Sequence, residues 1–237
     1  PCDLFVVTTV FEKTIIEDYF GYAEDEIVNS GFARWDVLED KSEGLREILI
    51  MPTWRAWLEN VTLEEFKESD YFHNYMELLN SPRFHSFLEK NDLLANFYLH
   101  SKFREFIQDF SVESDRIRLI VFGEEPANVL MMRCQMLVTD YSSVCWDVFY
   151  LDKPVVFFQF DRDKHMEAHG SYLDMDRELF GDCAQDVDGL LTYMERCADD
   201  RFVVRPEYEK MQKSFYKYFD DQNSRRICDA IVKKWPR

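Results

Sequence analysis

Apolar residues along this chain fall into two alternating patterns. Six runs are short and nearly continuous: DLFVVTT (3–9), EILIM (47–51), LLANFYL (93–99), IRLIVF (117–122), MLVT (136–139) and PVVFFQF (154–160). Such runs, rich in β-branched and aromatic residues, predict strands buried on both faces. Between them, VFEKTIIEDYFGY, the stretch 63–79, SKFREFIQDF, PANVLMMRC and VCWDVFYL space their apolar residues by three and four, which predicts helices. The punctuation agrees. Gly21 and Pro52 stop elements, Thr62 with Glu65 makes a capping box, and Ser81 before Pro82 is an N-cap with proline at the first helical position.

Strands alternating with helices over 237 residues predict an α/β fold, a doubly wound parallel sheet with right-handed crossovers. The stretch EIVNSGFARWDVLEDKSEG offers a short strand, a glycine break and a charged segment, so a linker is expected near 36–44. That divides the chain into residues 1–40 and 41–237. In the tail, Tyr208, Met211, Phe215 and Phe219 share one helical stripe, and Ile227, Ile231 and Trp235 share another after Asn223 and Ser224. Both stripes are expected to face the core.

Ligands of such sheets bind beyond the carboxyl ends of the strands, and here those ends read PTWR, HS, GEE, TDYSS and DRD. The turn TDYSS has two readings. Asp140, Ser142 or Ser143 caps the following helix, or the free amides of that helix start and two adjacent hydroxyls seat a phosphate. Asp147, four residues past Ser143, shares its helix face, and Thr53 and Thr139 add hydroxyls at the same strand ends. Arg55 either grips a phosphate at two points or forms a surface ion pair. His100 stands before Ser101 at a helix start, where its cationic form is disfavoured until an anion binds. In DRDKHMEAHG (161–170), Asp161, Asp163, His165 and His169 have spacings only loosely compatible with a metal, and no metal is assigned. His73 and His85 are read as solvent-facing, and Tyr71, Phe72, Tyr75, Phe84 and Phe87 as packing residues.

Charge narrows the partners. A formal net charge of −18 argues against a nucleic-acid backbone or an anionic membrane surface, so an anionic ligand would have to be captured by local dipoles. The six cysteines form no CxxC pair, which suggests reduced thiols rather than a zinc site or a disulfide framework. No apolar run approaches the roughly 20 residues that span a bilayer. The chain starts without methionine and almost directly in a strand, as an excised piece of a longer protein would.

The segment VTDYSSVCWDVFYLDKPVVFFQFDRD (138–163) resembles the signature of the CDP-glycerol glycerophosphotransferase family, the teichoic acid polymerase and primase group. Upstream, MPTWR (51–55), FYLHS (97–101) and NSGFARWDVL (29–38) are similar to further motifs of that family. The resemblance implies a GT-B-type transferase whose Rossmann-like domain, here 41–237, binds the nucleotide donor. It makes 1–40 the remnant of an acceptor domain that also holds the general base. It implies a CDP-glycerol or other CDP-polyol donor, with Arg55, Thr53, Thr139, Asp140, Ser142, Ser143, Asp147, Asp161 and His169 on the donor side. His100 would be the catalytic residue, stabilising charge on the leaving phosphate. The acceptor would be a lipid-linked polyol phosphate or glycan, met at the cytoplasmic face of the membrane. No cofactor is required, and Mg2+ is compatible with a diphosphate donor. The chain departs from the family pattern at Ala56, Tyr98 and His169, where the family carries an acidic residue, a basic residue and an arginine. Two other readings stay open: a GT-B glycosyltransferase using a nucleotide sugar, and a non-catalytic interaction module on the same fold.

Overall fold

The computed structural model describes residues 2–236. In chain order its regular elements begin with β1 (Phe5–Val7), α1 (Val10–Phe20), β2 (Ile27–Asn29), β3 (Glu47–Ile50), α2 (Leu63–Lys67), α3 (Asp70–Asn80) and α4 (Pro82–Lys90). There follow β4 (Leu94–Tyr98), β5 (Ile117–Ile120), α5 (Ala127–Arg133), β6 (Leu137–Thr139), α6 (Val144–Tyr150), β7 (Val155–Phe158) and α7 (Arg162–His169). The chain closes with β8 (Asp182–Ala184), α8 (Val187–Asp199), α9 (Pro206–Phe215) and α10 (Asn223–Lys234). None of these helices is long and apolar enough to cross a membrane. They form two units: the residues up to Glu39 with those from Arg205 on, and Asp40–Val204.

In the first unit, β1 and β2 pair in parallel with Phe5 opposite Ile27, and α1 connects them. Thr9 caps α1 by accepting the Glu12 N–H at 2.9 Å. Asp36 takes the same part for α10, accepting the amides of Asn223 and Ser224 at 2.8 and 2.7 Å. Gly31, at φ +80°, passes so close that a Cβ there would stand 2.6 Å from Asn223 Oδ1. Two tail expectations are corrected. The final helices cluster with residues up to Glu39 rather than with the rest of 41–237. Nor do their stripes all reach a core: Phe219 lies beyond α9 and is 51% exposed, while Ile231 on α10 and Trp235 just past its end are 45% and 50% exposed. Only Asn223, in the first turn of α10, is buried. Helical spacing identifies an apolar face but says nothing of what covers it.

The second unit holds a six-stranded sheet in the order β5-β4-β3-β6-β7-β8, with every pair parallel. Counted within the unit this is the doubly wound order 3-2-1-4-5-6, so the winding reverses between β3 and β6. One face carries Ile48, Ile50, Phe97, Val138, Val156 and Phe158 into the core, covered by Leu78, Phe84, Leu190 and Met194 from α3, α4 and α8. Tyr71, Tyr75, Phe84 and Phe87 are buried there, as expected. The alternate side chains of the strands point the other way and are partly polar: Glu47 is buried, accepts from Asn96 Nδ2 at 2.9 Å and pairs with Arg133. Buried Lys153, in the Lys-Pro step before β7, donates to the carbonyls of Met131 and Met132 at the end of α5 and pairs with Asp40 at 2.8 Å.

Three local expectations change. SKFREFIQDF is not an α-helix but two 3-10 turns, Ser101–Phe103 and Ile107–Asp109. Phe103, Phe106, Ile107 and Phe110 are buried as their spacing predicts, since spacing reports the buried side and not which winding closes. β8 has no counterpart among the expected strands, because Asp182-Cys183-Ala184 has no apolar run. His73 is exposed as read, whereas His85 turns its Nε2 to the Leu79 carbonyl at 2.7 Å.

Candidate functional site

The strand ladder stops at Ile50, Thr139 and Phe158, so whatever lies beyond must be held by side chains. The Thr139 hydroxyl donates to the Met51 carbonyl at 2.7 Å and sews β6 to β3. Asp140, 1% exposed, accepts the Thr53 amide at 2.9 and 3.1 Å and the Tyr141 amide at 2.6 Å. Its own carbonyl accepts from Gln159 Nε2 at 3.0 Å.

Arg55 lies at the centre of these loops and is 0% exposed. Its Nη1 stands 2.8 Å from Asp140 Oδ2 and donates to the Thr53 carbonyl at 2.7 Å. Nε and Nη2 donate to the two oxygens of Asp161 at 2.6 and 3.1 Å, a fork on a carboxylate. The Tyr141 hydroxyl donates to Asp161 Oδ1 at 3.1 Å, and the Tyr141 ring centroid is 5.0 Å from the guanidinium carbon. Burial opposes the charge on Arg55, but Asp140 and Asp161 outweigh it and raise the pKa of the guanidinium.

The turn after β6 separates the two readings of its serines. Ser143 occupies the N-cap position of α6 but makes no side-chain cap bond, and Ser142 Oγ meets only the Val144 amide at 3.5 Å. Asp140 spends its oxygens on Thr53, Tyr141 and Arg55 rather than on α6. Capping therefore does not occupy these hydroxyls, and Ser143 is exposed. With only seven residues, α6 brings a small dipole, so the capacity for an anion rests on the hydroxyls and turn amides. Both serines line a cavity of about 150 Å³ with Tyr141, Trp146, Gln159 and Phe180.

His100, just past β4, accepts the Lys102 amide at Nδ1 (3.2 Å). A ring nitrogen that accepts carries no proton, so neutral His100 presents Nε2–H. Burial lowers its pKa, with the Lys102 charge adding to the effect and Asp140 opposing it. His165, on α7, lies flat on Tyr141 with ring centroids 3.6 Å apart and planes within 4°. Burial first, then the charges of Arg55 and His169, push its pKa down to about 4. The sequence named His165 only as a loose metal ligand. What could have singled it out is its place one helical turn past Asp161, on the same face.

Several expected ligands are engaged with other groups of the protein. Arg55 cannot offer a phosphate two donors that Asp161 already holds, and the Thr139 hydroxyl is taken by Met51. The Thr53 amide serves Asp140 while its hydroxyl is buried without a hydrogen-bond partner, and Asp161 serves Arg55 and Tyr141 while bordering a second cleft of about 250 Å³ with Asp70, Arg162 and Lys164. Asp147 is buried in α6, and His169 is exposed at the end of α7, its ring 6.5 Å from Trp57. Among the described residues, no three His, Cys, Asp or Glu side chains gather into a metal site.

The chain is similar to known proteins in sequence and in fold. The chain is 30% identical over 236 residues to the minor teichoic acid biosynthesis protein GgaB of Bacillus subtilis (strain 168), covering 93% of the chain and 25% of that protein. It is 26% identical to the teichoic acid glycerol-phosphate transferase of Staphylococcus aureus, covering 98% of the chain and 60% of the relative. It thus spans a quarter to three-fifths of the length of these relatives. Its fold matches a structure of a variant of the wall teichoic acid polymerase TagF with TM-score 0.72 at 22% identity, over 98% of this chain and 58% of that one. The model of the family described as CDP-Glycerol:Poly(glycerophosphate) glycerophosphotransferase matches residues 1–233, and the chain belongs to that family.

Proposed function

We propose that Asp40–Val204 binds a CDP-activated polyol phosphate, CDP-glycerol in the simplest case. It would serve as the donor half of an enzyme that transfers glycerol phosphate to an acceptor hydroxyl in teichoic acid or capsular polymer synthesis. The observation that carries this reading is that the hydroxyls of Ser142 and Ser143, after β6 at the reversal of the winding, and the Nε2–H side of His100, after β4 two strands away, stand open while Arg55, Asp140 and Asp161 are spent on one another. Family membership names the donor class.

In this reading the serine hydroxyls and turn amides hold the diphosphate. Neutral His100 donates from Nε2 to an oxygen of the leaving phosphate and becomes easier to protonate as charge gathers there. The acceptor oxygen attacks the distal phosphorus in line, the bond to the bridging oxygen breaks, and CMP leaves. Positioning and charge stabilisation carry the rate. No group of this unit is assigned as the base. A lipid-linked acceptor would bring the reaction to the cytoplasmic face of the membrane, where nucleotide-activated donors are made.

Calorimetric titration with CDP-glycerol, CDP-ribitol, CDP and UDP or GDP sugars, with and without Mg2+, tests the reading. A cytidine preference is expected. Preference for a UDP or GDP sugar would favour a nucleotide-sugar glycosyltransferase, and no binding of any cytidine diphosphate at millimolar concentration an interaction module.

A further inference from the structure

Arg55 is too buried to touch a ligand and too well connected to be incidental. Its three nitrogens reach three loops: Thr53 after β3, Asp140 after β6 and Asp161 after β7. No other side chain has the planar fork of five donors needed to satisfy two carboxylates and a carbonyl at once, and lysine, a point charge with three donors, does not replace it. The cluster of one guanidinium and two carboxylates is also costly to bury, and packed apolar side chains often serve stability as well. Its distinguishing product is geometry. Through Asp140 and the Tyr141 hydroxyl, the cluster fixes both ends of the dipeptide that leads directly into Ser142 and Ser143.

We infer that Arg55 is a positioning residue. It does not hold the donor but locks the turn 140–143 to the ends of β3 and β7, and so sets where the two serine hydroxyls stand. The ligand part of this inference rests on the CDP reading above; the locking part does not. A direct ligand and a positioning residue predict opposite signs for Asp161→Asn. If Arg55 gripped the diphosphate, weakening its competitor Asp161 would release it and tighten binding. If Arg55 positions the turn, the same change loosens the turn and weakens binding.

The experiment compares the whole chain with its Asp161→Asn, Tyr141→Phe, Arg55→Lys and Asp161→Asn/Arg55→Lys variants. Amide hydrogen exchange is followed at 139–145, with β4 as the internal reference, beside calorimetric titration with CDP. Expected are faster exchange at 139–145 with unchanged exchange in β4, and CDP affinity lower by about tenfold in each single variant. The double variant should bind no more weakly than Arg55→Lys alone, because both changes cut one link. Tyr141→Phe removes only a hydroxyl and keeps the test open if the Arg55 variants do not fold. Tighter CDP binding by Asp161→Asn, or faster exchange spread evenly over the sheet, would overturn the inference. Local loosening at 139–145 in a chain that binds no CDP would uphold the positioning role and remove the donor reading instead.

Discussion

Arg55 and Asp140 form a fully buried ion pair, Nη1 to Oδ2 2.8 Å, that joins the ends of the two strands flanking the reversal of the sheet's winding. Removing one partner leaves the other buried and uncompensated. Asp140→Ala should therefore cost about 3–5 kcal/mol of stability, since the amides of Thr53 and Tyr141 also lose their acceptor. Urea unfolding measures this, and a loss below about 1 kcal/mol would mean that Asp161 alone satisfies the guanidinium.

Replacing both serines of the turn separates capping from ligand binding. Ser143 makes no cap bond and Ser142 only a long one, so Ser142→Ala/Ser143→Ala should leave the unfolding midpoint nearly unchanged. CDP affinity should fall by about 1–3 kcal/mol. The reverse pattern, lowered stability with unchanged affinity, would return the serines to a capping role.

His100 should take up a proton when a diphosphate binds. Burial holds its pKa below the ordinary histidine value, and a bound anion raises it, so uptake is largest between the pKa of the free protein and that of the complex. Titrations with CDP in buffers of different ionisation enthalpy read the protons exchanged. His100→Gln should abolish the uptake; uptake that survives the change would assign it to another group.

His165 ties stability to pH. Its folded pKa is about 4 against 6.5 for the free side chain, so the unfolded chain binds the proton more readily and stability is lost as pH falls from 6.5 toward 4. His165→Phe keeps a ring against Tyr141 and removes the titration, so the urea midpoint should fall less over that window. Equal slopes for the two proteins would show that His165 is as easily protonated folded as unfolded.

Lys153→Met should cost about 1–3 kcal/mol, because two carbonyls at the end of α5 and the Asp40 carboxylate lose a cation. Burial works to raise the pKa of Asp40, but Lys153 and Ser42 overcome it and hold that pKa below 3.8, so the substitution should move it back up. Carboxyl NMR shifts across an acid titration would show the change, and an unmoved Asp40 would remove the proposed pairing.

Much of the fold was legible from local pattern. Doubly buried strands announce themselves as unbroken apolar runs, and caps such as Thr62 with Glu65 or Ser81 with Pro82 are written in adjacent residues. Strand-end position alone puts Arg55, His100, Asp140, Ser142 and Asp161 at one edge of the sheet. Their division of labour was not legible. Whether a strand-end arginine meets a ligand or two carboxylates depends on residues 85 and 106 positions away along the chain, and only the crossovers bring those within hydrogen-bond range. For the same reason the stripe of Ile231 and Trp235 reads as core although little of it is covered, and the three-residue strand Asp182–Ala184 carries no signal because its pairing with β7, Asp182 opposite Val156, and not its own composition makes it a strand. Sequence determined which residues are apolar, capped or at strand ends, because those are properties of neighbours in the chain. Tertiary structure alone decided which charges are spent on one another and which groups remain for a ligand, because burial and pairing are properties of neighbours in space.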